Sequence, residues 1–407
     1  MKLLRFISRI IVGLVFVFSG TVKAVDPLGS AYKFGDYFTA FNLEFLKFAA
    51  LPLGILLCTA EFISGFSVLS GYRIRSGIWG VLILMIIFTP LTLILALTNP
   101  VSDCGCFGDA IHLTNWQTFG KNVILLALVI ILFTGRDQVK QIFTPIPEWT
   151  IITAVTLLFV GFSLLNLRHL PLFDFLPYRK GVNIAESMKI PEGKSADEYQ
   201  TTFIYEKDRI RKEFTLENYP VNDSSWKFID QKSVLVKKGY TPPIHDFMIS
   251  SSDGQDITGD ILRDTAYVLL MISEKVEEAN PLNIRKSISL SGICKSQNIK
   301  SALVTASSID KAMSLSSNLT VCSADATTLK TMIRSNPGYI LLKNGTILGK
   351  WSWANIPEGP LFVKLIKEGQ IGTVNNKRLI LIVYSSAISA FILFLLISSF
   401  FRSIKGD

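Results

Sequence analysis

Hydrophobic positions fall into two regimes along the chain. Residues 1–167 are dominated by long apolar runs, 168–377 alternate apolar and polar positions over short stretches, and 379–401 form one more apolar run. A membrane-crossing helix needs about 20 predominantly apolar residues. The runs at 7–25, 46–70, 77–98, 119–134, 149–166 and 379–401 are therefore predicted to be spans. The first continues to about Val25 without an Ala-x-Ala-like exit, which predicts an uncleaved span rather than a secretory signal. In the polar region, Thr201–Tyr205 and Arg211–Leu216 flank Lys207-Asp208 as a hairpin does. Further on, Tyr267–Ile272 reads as a buried strand, 281–297 as a helix and Ser301–Ala306 as a strand. Helices are predicted over 309–318 and 326–334. Tyr339–Leu342 and Thr346–Trp351 then close a hairpin around Asn344-Gly345. The fold class is a membrane all-α helical bundle of about six transmembrane helices plus a soluble α/β domain.

Charge supplies an orientation. Lys2, Arg5 and Arg9 precede the first span, Arg73 and Arg75 join the second and third, Arg136 and Lys140 join the fourth and fifth, and Arg402 and Lys405 follow the sixth. Basic loops stay on the cytoplasmic side. Six spans put all four groups there, with both termini, and send the 99–118 loop and the soluble region to the opposite, periplasmic face. Lys377-Arg378 run against this assignment, and four agreeing groups outweigh them. The net charge of +9 is spread thinly, without a basic cluster interleaved with aromatics, so nucleic acid is not an expected partner; the lipid bilayer is. The connection 26–45 carries Tyr32, Phe34, Tyr37, Phe38, Phe41 and Phe45. It is expected to lie in the interface as an aromatic anchor, the alternative being a cap over a ligand.

Candidate chemistry centres on Asp103-Cys104-Gly105-Cys106-Phe107-Gly108-Asp109. A Cys-x-Cys pair closes a small disulfide ring that needs a freely bending middle residue, which Gly105 supplies. A strained or exposed disulfide has a raised reduction potential and suits exchange better than stapling. Asp103 and Asp109 would raise the thiol pKa values and slow attack. Two thiolates and His112 fall short of a zinc ligand set, and no metal site is expected. Glu61 lies inside the second span, one turn after Cys58; an intramembrane carboxyl usually faces a cavity, a partner or a relay. Lys23 is its candidate partner, although it sits near the outer end of its span and snorkelling would explain it equally. Cys58, Cys294 and Cys322 read as buried packing thiols. His169 and His245 have no nearby chemical partner, and Asp253–Asp260 reads as a turn rather than a calcium loop.

Two resemblances add to this. Pro242-Pro243-Ile244-His245-Asp246-Phe247, Asp253-Gly254, Tyr267–Ile272, Asn336-Pro337-Gly338 and Lys343-Asn344-Gly345 make the second soluble piece resemble the peroxiredoxin-like branch of the thioredoxin superfamily. That resemblance implies a cis Pro337 lining a substrate face. The family's thiol position reads Ser273-Glu274-Lys275-Val276-Glu277 here, without cysteine, which implies docking rather than catalysis. The membrane half resembles the MauE/DoxX group, related in architecture to the vitamin K epoxide reductase bundle, through Ser19-Gly20, Lys23, Glu61, Gly65 and Cys104-Gly105-Cys106-Phe107-Gly108. MauE-type proteins are implied to support periplasmic disulfide formation or maturation in methylamine utilisation, and DoxX relatives quinone-linked oxidation. The vitamin K reductase pattern includes an intramembrane Cys-x-x-Cys that this chain lacks.

The expected organisation is a MauE/DoxX-like four-helix membrane domain over 1–135, a fifth transmembrane helix within 136–167, a polar hairpin region over 168–240, a thioredoxin-like domain over 241–370 and a C-terminal transmembrane helix over 379–401. The expected role is a thiol-redox or disulfide-maturation component of the inner membrane. Cys104 and Cys106 form its redox pair, Glu61 and Lys23 handle protons or contact a ligand, and Pro337 lies on the face where a periplasmic thiol protein docks. The residues identify no bound cofactor, and a quinone is the ligand class the resemblance implies. The alternative is a non-enzymatic envelope scaffold with a structural Cys-Gly-Cys turn.

Overall fold

The computed structural model describes residues 2–371 apart from 102, 139–146, 197, 208–209, 216–217, 219–222, 224, 238 and 316–318, together with Tyr384 and Ser385. Apart from Tyr384 and Ser385, the expected span over 379–401 lies outside the described residues, as do the basic residues Lys140, Lys377, Arg378, Arg402 and Lys405.

Among the described residues, five helical stretches are long and apolar enough to cross a membrane. They are α1 (Lys2–Val25), Glu44–Ser70, α4 (Ile74–Thr98), α5 (Asn115–Thr134) and α6 (Glu148–His169). The second consists of a 3-10 turn, Glu44–Ala49, continuing into α3 (Ala50–Ser70). Between α1 and this span runs a shorter helix, α2 (Pro27–Ala40), started by an Asp26 N-cap that accepts from Gly29 N–H at 2.8 Å and by a proline at its first turn.

Helices α1 and α3 approach backbone to backbone. A side chain on Gly20 would meet Cys58 O and Phe62 N at 2.7 Å, and one on Gly65 would meet Val17 N at 2.7 Å. Such small-residue contacts are how helices associate in lipid, where apolar burial offers little drive. The interior below them is a cluster of Val12, Phe16, Val68, Ile74, Ile78, Val81, Met85, Leu125, Val129 and Leu132. Basic residues gather at that end of the bundle. Arg9 donates to Val68 O at 2.7 Å and to Leu69 O at 2.8 Å, Arg5 bonds Gln138, Arg75 pairs with Asp137 at 3.6 Å, and Arg73 stacks 3.7 Å over Trp149.

After α6 the chain enters the soluble region through a short helix, α7 (Ile184–Ser187). A three-stranded antiparallel sheet follows, with β1 (Glu198–Lys207) between β2 (Ile210–Thr215) and β3 (Lys227–Lys237). The expected hairpin is the β1–β2 pair. The third strand was not foreseen, because Lys227-Phe228-Ile229-Asp230-Gln231-Lys232 offers little period-2 alternation.

The remaining elements are β4 (Ser250–Ser251), α8 (Thr258–Arg263), β5 (Tyr267–Ser273), α9 (Pro281–Ser296), β6 (Lys300–Thr305), α10 (Ile309–Leu315), β7 (Val321–Ser323), α11 (Ala326–Met332), β8 (Gly338–Lys343), β9 (Thr346–Ser352) and α12 (Gly359–Lys367). The six strands order as β4-β7-β6-β5-β8-β9, with β5, β6 and β7 parallel and the others antiparallel to their neighbours. Strict alternation along β5 covers both faces of this sheet. Val268, Leu270 and Ile272 enter one core with Leu262, Leu329 and Met332, while Leu269 and Met271 enter the other with Leu290, Cys294, Phe362 and Ile366. The expected β8–β9 turn is observed, with Asn344 and Gly345 both at positive φ. Tyr178 and Ile184 join the first core, and Gly181 N–H bonds Ile347 O at 2.8 Å, so the sheet domain draws on residues well before 241.

Candidate functional site

The Cys104–Cys106 loop joins α4 to α5 at the end of the bundle opposite the arginines. Cys104 and Cys106 are disulfide-bonded, with Cα atoms 5.5 Å apart. Gly105 between them has φ +63°, a backbone that side-chain-bearing residues rarely adopt, and a Cβ there would press on Lys33. Asp103 Oδ1 accepts from Gly105 N–H at 2.8 Å, which turns the chain into the ring. Asn115 fastens the loop's flanks by donating to Asn99 Oδ1 at 2.8 Å and to Val101 O at 2.9 Å, and a Thr114/Gln117 capping box starts α5.

Helix α2 holds the loop from the side. Tyr37 donates to Cys104 O at 2.6 Å and Lys33 pairs with Asp103 at 3.1 Å. This corrects the expectation of an interface anchor for 26–45. Phe45 and Phe48 are strongly exposed, as anchors are, but Phe34, Tyr37 and Phe38 turn inward, because Ser30 and Ala31 pack against Gly54 of α3 and bring α2 across the mouth of the bundle. Asp103 is an ion-paired carboxylate. Burial pushes its carboxyl up, but His112, 3.7 Å away, and Lys33 outweigh this and pull it down to about 2. His112 is raised in turn, chiefly by the Asp103 carboxylate beside it.

Beneath the disulfide lies an apolar cavity of about 270 Å³. Its walls include Cys104, Gly105 and Cys106 together with Phe34, Tyr37, Phe88, Leu91 and Leu125. Ser19, Lys23, Glu61, Lys121 and Asn122 are among its polar lining residues. Asn122 donates to Thr92 Oγ1 at 3.1 Å.

Lys23 and Glu61 are in contact, Nζ to Oε1 2.6 Å, with side chains 9% and 2% exposed. The expected span limits left Glu61 too deep for this. The contact forms because the outer half of α3 packs against α2 rather than α1, so the top of α1 reaches only the middle of α3. Ser19, one turn before Lys23, completes the cluster. Its Oγ lies 2.8 Å from Glu61 Oε2, 2.7 Å from Cys106 O and 3.2 Å from Lys23 Nζ. A hydroxyl has one proton to donate. Ser19 therefore donates either to the Glu61 carboxylate or to the Cys106 carbonyl, and a proton on Glu61 frees it for Cys106. Sequence reading noted Ser19 only as part of a family pattern. Its spacing of four from Lys23 was the available signal.

A second cluster joins the loop to the sheet domain. Arg334, 6% exposed, donates from Nε to Asp26 Oδ2 and from Nη2 to Asp109 Oδ2, both at 2.7 Å. Its third nitrogen bonds Lys330 O, and its guanidinium lies 5.2 Å from the Tyr32 ring centre. Arg334 and Asp26 had no assigned role from sequence, and Tyr32 was expected only among the interface aromatics. Pro337 follows three residues after Arg334, and the Asn336–Pro337 peptide bond is cis. Ser273 and Asn336 are hydrogen-bonded, and Glu274 pairs with Lys330 at 3.2 Å.

The other cysteines do not join this centre. Cys58 lies behind Glu61 with its Sγ on Ile55 O at 3.2 Å, while Cys322 and Cys294 belong to cores on opposite faces of the sheet. His169 bonds Asn355, and His245 lies 3.3 Å from Pro242 O. No group of three or more potential metal ligands occurs among the described residues.

These features define a multi-span helical membrane protein with a disulfide over a buried cavity and a sheet-containing domain docked beside it. Residues 1–135, the N-terminal third of the chain, match the family model described as Methylamine utilisation protein MauE. Residues 199–238, which hold the three-stranded sheet, match a domain of unknown function (DUF8463). No curated protein and no solved structure matches the chain.

Proposed function

We propose that this protein is a membrane thiol-redox component in which Cys104 and Cys106 alternate between disulfide and dithiol. The observation that carries the reading is the shared wall: the disulfide closes a cavity whose other polar wall is the Lys23–Glu61–Ser19 cluster. Reduction of the disulfide takes up two electrons and two protons. A partner thiolate attacks one sulfur, the second thiol of that partner resolves the mixed disulfide, and the partner leaves oxidised while Cys104 and Cys106 become thiols. Reoxidation must pass two electrons and two protons onward. Glu61, beside Lys23 and bridged to the loop by Ser19, is the group positioned to take and return a proton.

The cavity suits a ring-sized apolar ligand, being slightly smaller than most small-molecule sites. A quinone in it would supply the acceptor for both electrons and both protons. Phe34, Phe88, Leu91 and Leu125 would hold it and exclude water, and Lys23 and Ser19 would supply hydrogen-bond donors.

In this reading the arginine-rich end of the bundle faces the cytoplasm of a bacterial cell, and the disulfide and sheet domain face the periplasm. The sheet domain is a thioredoxin-like module without redox cysteines. Its strand order and the Ser273-Glu274 pair at the thiol position support that description. A scaffold role with a structural Cys-Gly-Cys turn is the competing reading, and one experiment separates the two. Differential alkylation of Cys104 and Cys106 in intact membranes should give a mixed population that shifts with quinone depletion or a mild periplasmic reductant, and Cys104→Ser with Cys106→Ser should abolish function. A pair fixed in one state under every condition would leave the scaffold.

A further inference from the structure

The redox loop is fastened at both ends by cations from different parts of the molecule. Lys33 of α2 holds Asp103 on the near side, and Arg334 of the sheet domain holds Asp109 on the far side. Arg334 is itself fixed by Asp26, the residue between α1 and α2, and by Tyr32 beneath it. The sheet domain thus reaches the disulfide loop through one buried guanidinium. Its fork geometry suits two carboxylates at once, which a lysine could not match. The segment behind Arg334 is tied into the sheet. Ser335 Oγ accepts from Trp353 N–H at 3.2 Å, Asn336 donates to Lys275 O at 3.0 Å, and Lys330 pairs with Glu274. Displacement of the β5 end or of the 334–337 segment therefore pulls on Asp109.

We infer that Arg334 is a positioning residue for the Cys104–Cys106 pair, and that the sheet domain holds the loop in its disulfide-closed shape through it. This rests on the redox reading of the loop. The domain then needs no cysteine of its own: whatever engages the 334–337 segment acts on the thiol equilibrium of the membrane half.

The test is a redox titration of the full-length protein in lipid nanodiscs, equilibrated with defined ratios of reduced to oxidised dithiothreitol and read by alkylation and mass spectrometry. A contact present in the closed loop and loosened in the open one favours the disulfide. Arg334→Gln and Asp109→Asn should therefore both shift the midpoint toward dithiol, by about tenfold in the reductant ratio. Arg334→Lys, which keeps the charge but loses the fork, should shift it the same way by less. A purely electrostatic influence predicts something different. Losing the cation would favour the disulfide, losing the anion would favour the dithiol, and Arg334→Lys would change nothing. Opposite shifts, or variants superimposed on a wild type that titrates, would overturn the role of Arg334 and leave the redox reading standing. A wild-type pair that stays oxidised at every ratio would overturn both. Should Arg334→Gln not fold, Arg334→Lys still carries the test, because it leaves both carboxylates facing a cation.

Discussion

Two buried ionic clusters lie close to the same disulfide, and they are built differently. Inside the bundle, Lys23 and Glu61 balance one charge against one, and their free side faces a cavity. At the joint with the sheet domain, one arginine is shared between two carboxylates and faces protein on every described side. A balanced pair beside open space can change its proton count without wrecking its surroundings, whereas a guanidinium holds its charge at any pH the protein meets. Burial pushes the Asp26 carboxyl up even though the Arg334 charge and hydrogen bond pull the other way. In the proposed cycle the first cluster moves protons and the second holds position.

The largest way to break this contrast is to remove one member of the bundle pair. Glu61→Leu or Lys23→Met alone leaves a buried, unpaired charge and should cost about 3–5 kcal/mol of stability, read as a lowered melting temperature in detergent. The double variant should recover most of that loss while failing to cycle Cys104 and Cys106. Equal damage from the single and double variants would mean that the two charges are not compensating each other.

At the joint the corresponding change should be smaller. Asp26→Asn keeps an N-cap for α2 and removes only the charge facing Arg334, with a cost of about 1.5–3 kcal/mol for the lost charged hydrogen bond. Asp109 remains to hold Arg334, so the effect should appear as easier proteolytic separation of the sheet domain rather than as loss of the bundle. Collapse of the bundle itself would show that Asp26 matters to the α1–α2 corner and not to docking.

The two clusters also differ in how far the sequence revealed them. Lys23 and Glu61 stand out as charges embedded in apolar runs, where a polar residue demands a reason. Their contact was harder to foresee, since it depends on α2 lying across the outer half of α3. Arg334 was invisible. It sits in a soluble stretch where charges are common, and its partners Asp26 and Asp109 precede it by hundreds of residues. Only the docking of the sheet domain brings the three together. The sheet itself was largely legible, because β5, β6, β8 and β9 carry buried β-branched and aliphatic runs bounded by turn residues. Strand β3 and the contribution of Tyr178 and Ile184 to the core were not, as neither shows a period of its own. The disulfide loop lies between these cases. Its cysteines and Gly105 announced a tight ring, while the lysine and arginine that neutralise its flanking aspartates came from elsewhere in the fold.

A gentler change tests whether Ser19 belongs with the moving cluster or with the holding one. Ser19→Ala removes the hydroxyl shared by Glu61 and Cys106 but leaves the Lys23–Glu61 pair in place. If Ser19 carries a proton between them, reoxidation of the dithiol should slow by about tenfold or more with little change in the redox midpoint. A shifted midpoint with unchanged rates would instead make Ser19 a second anchor of the loop, like Arg334.

The smallest effect concerns the near end of the loop, where Asp103 is shared by Lys33 and the largely exposed His112, 3.7 Å away. His112 is raised above its ordinary value, so its contribution is present below about pH 6.5 and fades as pH rises through its higher folded value. Asp103 is pulled down to about 2, so its contribution holds above the ordinary carboxylate range and is lost only in strong acid. The near fastening should therefore be tightest in mildly acidic solution and rest on Lys33 alone in alkaline solution. The pH titration of the His112 ring resonances should show a midpoint above that of a free histidine, falling back in Asp103→Asn. Asp109 also raises His112 and Lys33 opposes it. An unchanged midpoint in Asp103→Asn would thus assign the shift to Asp109 and place His112 with the far fastening instead of the near one.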